Sequence, residues 1–215
     1  MELNRYIEHT ILKQDATKAE VMATLEEAKK YNFRCVCVNP VNVKLAAEFL
    51  KGTGVSVVTT IGFPLGQNTT EVKVIETIDA VKNGADEIDM VINVGKLKDG
   101  EYDYIVNDIS AIKGACQGRP LKVILETDLL TSEEIKLASE LSIKGGADFV
   151  KTSTGFVKNG VGAKVEDVKL MYETVKSAGL EVKASGGVRD KEAALAMIEA
   201  GATRIGTSSG VKICS

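Results

Sequence analysis

The sequence is short of several residue types. Tryptophan is absent, histidine occurs once, and 215 residues hold only three prolines and four cysteines. A single histidine, His9, removes most metal and triad chemistry, because zinc sites draw on clustered Cys and His ligands and a Ser/His/Asp triad needs a base with an orienting partner. His9 lies near a strand end and reads as an ordinary, hydrogen-bonded histidine. Cys35, Cys37, Cys116 and Cys214 are too scattered for a disulfide framework, and a C-x-C pair is not a zinc spacing, so no metal is expected. No apolar run reaches the length needed to cross a bilayer, and the start "MELNRYIEHT" lacks the basic and apolar regions of a signal peptide. A formal net charge of −3 gives no support to nucleic acid or an anionic membrane as partner. The expectation is a soluble, cytoplasmic protein. No Pro/Gly/Ser-rich linker or composition shift divides it, which predicts one domain over residues 1–215.

What is present is an alternation. Short β-branched runs, "YIEHT", "CVCVNP", "VSVVTTIG", "EIDMVIN", "LKVILET", "FVKTS", "EVKASGG" and "RIGTSS", read as eight strands. Between them, residues 17–32, 69–84, 102–117, 132–146, 164–179 and 190–201 carry apolar residues at helical spacing. Most begin at a capping Thr, Ser or Asp, and several end at Gly. The stretches "NGADEIDMV", "GGADFVKTS" and "AGATRIGTS" repeat a Gly-Ala passage from helix into strand. Strand centres recur about every 20–35 residues, the size of one βα unit. Eight such units predict an α/β fold, a single (β/α)8 TIM barrel. A doubly wound open sheet is the alternative, but no strand is followed by the G-x-G-x-x-G fingerprint.

In a barrel, strand side chains alternate between the interior and the surrounding helices, and chemistry gathers at the strands' C-terminal ends. Ile88, Met90 and Ile92 form an apolar row suited to helices, so Glu87, Asp89 and Val91 point inward. The same alternation turns Lys151 inward in "DFVKTSTG" and Lys183 inward in "EVKASGG". Lys122 and Glu126 share the face opposite Val123 and Leu125. Three lysines and two carboxylates, Asp89 and Glu126, are therefore expected to converge inside the mouth. One inward lysine is commonly structural. Two on neighbouring strands repel, and repulsion with partial desolvation favours a neutral amine, the nucleophile of Schiff-base chemistry. The turns "SGGVR" and "GTSSG" after the seventh and eighth strands free backbone N–H groups where barrels commonly bind phosphate, and Gly155 could add another.

Together "KTSTG", "GADEIDMVIN", "LKVILET", "KASGGVR" and "GTSSG", in this order and over nearly the whole chain from "IEHTILK" onward, resemble the deoxyribose-phosphate aldolase family. The resemblance implies a class I aldolase that reversibly cleaves 2-deoxy-D-ribose 5-phosphate to acetaldehyde and D-glyceraldehyde 3-phosphate, with no cofactor. By motif, Lys151 matches the Schiff-base lysine, Asp89 the proton-transfer aspartate and Lys183 the lysine that assists it. Cys37 matches a cysteine that lines the pocket, and Lys122 is expected near the substrate. Gly155, Gly186, Gly187, Arg189, Ser208 and Ser209 fall where the family holds phosphate. The implied partners are the phosphosugar and acetaldehyde, with a homo-oligomer, dimer or tetramer, as the expected assembly.

Three positions depart from the family pattern. Position 8 is Glu where relatives usually have Asp, residues 159–164 read "NGVGAK" in place of a "GGAT" type stretch, and the chain ends "VKICS" without the tyrosine some relatives bring to the site. Two other readings remain at this level: a barrel phosphosugar isomerase or decarboxylase, which forms no covalent imine, and a non-catalytic sugar-phosphate binding protein, which releases no acetaldehyde.

Overall fold

Each βα unit starts from a short strand whose residues are mostly buried on both faces, covered by helices on one side and by other strands' side chains on the other. In the computed structural model, which describes residues 2–215, the order is β1 (Ile7–Ile11), α1 (Lys18–Lys30), β2 (Cys35–Val38), α2 (Val43–Leu50), β3 (Ser56–Ile61), α3 (Thr70–Lys82), β4 (Glu87–Val91), α4 (Val94–Lys98) and α5 (Tyr102–Ala115). It continues through β5 (Leu121–Ile124), α6 (Ser132–Lys144), β6 (Phe149–Lys151), α7 (Val165–Val175), β7 (Glu181–Ser185), α8 (Lys191–Glu199), β8 (Arg204–Thr207) and α9 (Gly210–Cys214). The strands pair in chain order, all parallel, and β8 returns to β1 to close the barrel.

Side-chain caps account for several helix starts, three of them at the predicted residues and one, at Thr131, a residue before the expected Ser132. Thr17, Thr69, Thr131 and Asp190 each accept the backbone N–H three residues on. Glu20 and Glu134 complete capping boxes. Helix α2 carried no such signal: Asn42 makes no side-chain cap bond, and the element has eight residues. The six helical stretches read from the sequence omit it, together with the five-residue α4 and α9.

The inward and outward rows follow the strand period. Ile88 and Met90 join Val123, Val150, Val182 and Ala184 in the core between barrel and helices. Leu12, Cys35, Cys37 and Val58 form a separate apolar cluster inside the barrel, with Phe63 packed on it. Beside that cluster the interior is charged, and Glu8, Asp89, Lys122 and Lys183 are all fully buried.

Candidate active site

The barrel registers bring the lysines together. Lys151 pairs with Lys183 across β6 and β7, and Asp89 pairs with Lys122 across β4 and β5. Lys151 Nζ donates to Asp89 Oδ2 at 2.7 Å, and Lys183 Nζ reaches the same oxygen at 2.7 Å. Lys122 Nζ donates to Asp89 Oδ1 at 3.0 Å and lies 2.5 Å from Glu87 Oε2. The closure of β8 on β1 adds Glu8, whose Oε2 accepts from Lys183 and whose Oε1 lies 3.6 Å from both Lys122 Nζ and Arg204 Nε. One carboxylate thus serves three ammonium groups. The lip is stitched beyond the strand ladder, since Thr152 Oγ1 donates to Ser185 O while accepting from Ser185 N, and Ser185 Oγ donates to Ser153 O. Gly206 makes room here: a Cβ on it would stand 3.0 Å from Lys183 Cε.

Burial and partners set the protonation of each group. For Lys151, burial depresses the amine and the Lys183 charge adds to it; Asp89 pulls the other way, and the net result lies below the ordinary lysine value. For Lys183, burial also depresses the amine, but Asp89 and Glu8 outweigh it and the net shift is upward. Lys122 is buried too, and Asp89, Glu8 and Glu87 hold it well above the usual range. Burial alone would raise Asp89, yet Lys122, Lys151 and Lys183 keep it well below the usual carboxylate value. Burial raises the Cys37 thiol to about 11, so at neutral pH it is uncharged.

Two carboxylates were read differently from the sequence. Glu126 was expected to point inward beside Lys122. The strand ends at Ile124, and Glu126 takes a left-handed backbone, φ 63° and ψ 63°, so the alternation no longer applies. Its carboxylate instead accepts from Thr154 N, at 3.0 Å, and from Thr154 Oγ1. The counter-charges at the lysines are Asp89, Glu87, which the strand pattern had already turned inward, and Glu8, with Glu126 set apart from them. The signal for Glu8 lay in its parity with Thr10 and Leu12, but ring closure was needed to bring it onto Lys183.

Above this network opens a cavity of about 460 Å³ at the C-terminal mouth. Of the three converging lysines, only Lys151 lines it; Lys122, expected at the substrate, is sealed below Asp89 among carboxylates. One wall is made of Gly186, Gly187, Arg189 and Ser208, and another of Ser153, Thr154 and Phe156. Gly155 and Ser209, expected beside phosphate, are outside the lining, and Ser209 N instead donates to Thr207 Oγ1 at 2.9 Å. Cys37 also lies behind the lining, buried in the apolar cluster. The Gly186–Gly187 turn is tightly pressed by the 159–164 loop: a Cβ on Gly187 would meet Val161 O at 2.4 Å, and Ala163 N donates to Gly186 O at 3.0 Å. Asp128 fixes that loop by accepting from Val161 N and Gly162 N. Ser153 Oγ, though buried, has no hydrogen-bond partner among the described residues and borders the cavity. Sequence reasoning missed Ser153, Thr154 and Phe156, although they follow Lys151 directly.

His9 is buried outside the lysine network, its Nε2 2.7 Å from Glu27 Oε2. Glu8, Cys35 and Glu87 bring three metal-ligand-type atoms within 4.8 Å. The ammonium groups of Lys122 and Lys183 already stand at these carboxylates, in the place of charge that a cation would take.

A closed parallel (β/α)8 barrel holding one weakened amine at the floor of an open cavity, beside a carboxylate and a second, protonated amine, has the equipment of an enzyme for carbonyl chemistry. The chain matches the DeoC/LacD family aldolase profile over residues 4–215, and it belongs to that family. It is 59% identical to the deoxyribose-phosphate aldolase of Enterococcus faecalis, covering 100% of this chain and 97% of the relative. It is 56% identical to the deoxyribose-phosphate aldolase of Finegoldia magna, over 99% of each chain. Among solved structures, the deoxyribose phosphate aldolase of Aeropyrum pernix, described as having a unique tetrameric structure, superimposes with a TM-score of 0.91 at 35% identity, over 99% of this chain and 89% of that one. No helix among the described residues is long and apolar enough to cross a membrane.

Proposed function

We propose that this chain is a deoxyribose-phosphate aldolase that cleaves 2-deoxy-D-ribose 5-phosphate reversibly to acetaldehyde and D-glyceraldehyde 3-phosphate through an imine on Lys151. The observation that carries the reading is that Lys151, alone among the network's lysines, lines the cavity, and that burial holds its amine below ordinary basicity. The neutral Nζ attacks the C1 aldehyde to give a carbinolamine. Loss of water, with a proton delivered to the departing hydroxyl, gives the iminium ion. A base then removes the C3 hydroxyl proton, the C2–C3 bond breaks, and its electron pair flows into the iminium. Glyceraldehyde 3-phosphate departs, leaving an enamine on Lys151. Protonation at C2 and addition of water free acetaldehyde and restore the amine.

Asp89 and Lys183 suit the proton movements. Asp89 is ionised and shares one oxygen with Lys151 and Lys183, and Lys183 holds its proton firmly beside Glu8. Proton transfer by such positioned groups is worth about 10²–10⁴ in rate. Gly186, Gly187 and Ser208 offer backbone N–H groups and a hydroxyl to the phosphate, and Arg189 adds positive potential. In this reading Lys122 and Cys37 support the site from behind, and Ser209 braces the last loop. Lys122 holds Asp89 ionised.

The reading treats residues 1–215 as one catalytic domain. It puts the protein in the cytoplasm, where a charged phosphosugar is retained because it does not cross a bilayer unaided. The tetrameric relative supports a homo-oligomer, which light scattering of the purified chain measures. The decisive experiment is borohydride reduction with acetaldehyde followed by mass spectrometry. The expected product is a two-carbon addition on Lys151; predominant labelling of Lys122 or Lys183 overturns the assignment. A barrel isomerase or a binding protein gives no adduct at all.

A further inference from the structure

Phe63 follows β3 and Phe156 follows β6, three strands apart around the eight-stranded ring. Their rings nevertheless meet edge to face, with centroids 5.1 Å apart and planes at 83°. Phe63 rests on Leu12, Cys35, Cys37 and Val58, the apolar arc of the barrel interior. Phe156 lines the same cavity as Lys151, and it stays 46% exposed although it is a large apolar side chain. Its backbone N donates to Thr154 Oγ1 at 3.1 Å, a bond that does not depend on the side chain. The ring bridges the mouth, and the edge-to-face geometry is the favoured one for an aromatic pair.

We propose that Phe63 and Phe156 form a two-part aromatic roof over the apolar side of the Lys151 chamber, and that this roof sets the size of the aldehyde Lys151 carries as the nucleophilic partner. The inference rests on the imine reading above. The cavity's hydrogen-bonding wall, Gly186, Gly187 and Ser208, lies on the β7 and β8 side and suits the phosphate end. Leu12 and Phe156 line the cavity as well, with Phe63 packed against Phe156 and resting on the cluster that holds the neutral Cys37 thiol, and this apolar part of the wall suits a carbon end that makes no hydrogen bond. A two-carbon enamine presents a single CH2 to that wall. A further methyl on that carbon would have to displace a ring whose partner is itself packed on the barrel interior. The roof also keeps bulk water from the enamine carbon.

The test compares donors in condensation with D-glyceraldehyde 3-phosphate, reading the ratio of kcat/KM for propanal to that for acetaldehyde. Phe156→Ala is expected to raise this ratio about tenfold, the lower end of what one methylene is worth in a shaped pocket. Phe63→Ala should raise it similarly, and the double variant should exceed the larger single by no more than about twofold, because the rings act as one unit. Phe156→Trp should lower it, a direction that general damage to the site does not produce. Phe156→Leu reads the same ratio should Phe63→Ala fail to accumulate. A ratio unchanged in Phe156→Ala and Phe156→Leu, or a rise in Phe156→Trp, overturns the roof. Borohydride trapping of acetaldehyde in the parent enzyme separates the two levels: no adduct on Lys151 defeats the imine reading, whereas an adduct with an unmoved donor ratio defeats the roof alone.

Discussion

Lys122 and Lys151 occupy adjacent strands, are both buried and share Asp89, yet their affinities for a proton are pushed in opposite directions. Lys122 sits lower in the barrel, paired in register with Phe149, and faces Glu87, Asp89 and, at 3.6 Å, Glu8. Lys151 stands two residues nearer the mouth and has one carboxylate oxygen, which Lys183 also claims. Burial weakens both amines, and the carboxylates around Lys122 more than reverse it. Burial alone therefore does not make a lysine nucleophilic. The supply of negative charge decides, and it is rationed along the barrel axis so that the lower amine is held to its proton and the upper one releases its own more readily.

The sharpest break in this comparison is a pair of substitutions. Lys151→Met should abolish the borohydride-trapped adduct and the cleavage of deoxyribose 5-phosphate, with little loss in the free energy of denaturant unfolding, since Asp89 keeps Lys122 and Lys183. Lys122→Met should leave the buried Glu87 without its ammonium partner, while Asp89 keeps Lys151 and Lys183, and cost about 3–5 kcal/mol in unfolding free energy. Equal stability losses in both variants would show that position along the axis does not matter.

The next test shifts the amine itself. Imine formation needs neutral Lys151, and each unit of rise in its pKa removes about tenfold of the neutral form below that pKa. Lys183 depresses Lys151 by like charge, so Lys183→Leu should move the pH profile of acetaldehyde imine formation to higher pH, with partial recovery on raising the pH. Asp89 raises Lys151, so Asp89→Asn should move the same profile to lower pH, even as overall turnover falls for want of a proton carrier. Stopped-flow trapping across pH reads both, and shifts of the same sign would remove the electrostatic account.

The smallest expected effect concerns the cavity's other wall. Ser208→Glu puts a carboxylate against the proposed phosphate position and should raise KM for deoxyribose 5-phosphate about tenfold, by like-charge repulsion. Ser209→Glu, outside the lining, should raise it less, and neither should matter for unphosphorylated deoxyribose. Steady-state kinetics on both sugars check the order, which a larger effect at Ser209 would reverse.

Much of this was legible in the residues. A strand's side chains alternate with a period of two, so one apolar row, Ile88, Met90 and Ile92, was enough to turn Asp89 inward, and the same rule oriented Lys151, Lys183 and Lys122. The caps at Thr17, Thr69 and Asp190 marked three helix starts, and a fourth was read from Ser132, one residue past its cap Thr131. Helix α2 escaped as a short, eight-residue element without a cap, and Glu126 was misread because the period holds only while the strand lasts, which here is to Ile124. The glycine turn after β7 was read as part of the site from the sequence, but which of Ser208 and Ser209 faces the cavity depends on a local bond from Ser209 N to Thr207 that no pattern announces.

The sequence by itself determined the succession of strands and helices and the face on which each strand carries its charge, because both depend on periods of two and 3.6 residues that neighbours in the chain enforce. Only the tertiary structure decided which charges meet. Glu8 and Lys183 are 175 residues apart and touch because β8 pairs with β1. Phe63 and Phe156 meet because two loops lean across the same mouth. The difference between a captive ammonium at Lys122 and a weakened amine at Lys151 follows from the same cause, since the interaction of charges falls with distance through space and takes no account of distance along the chain.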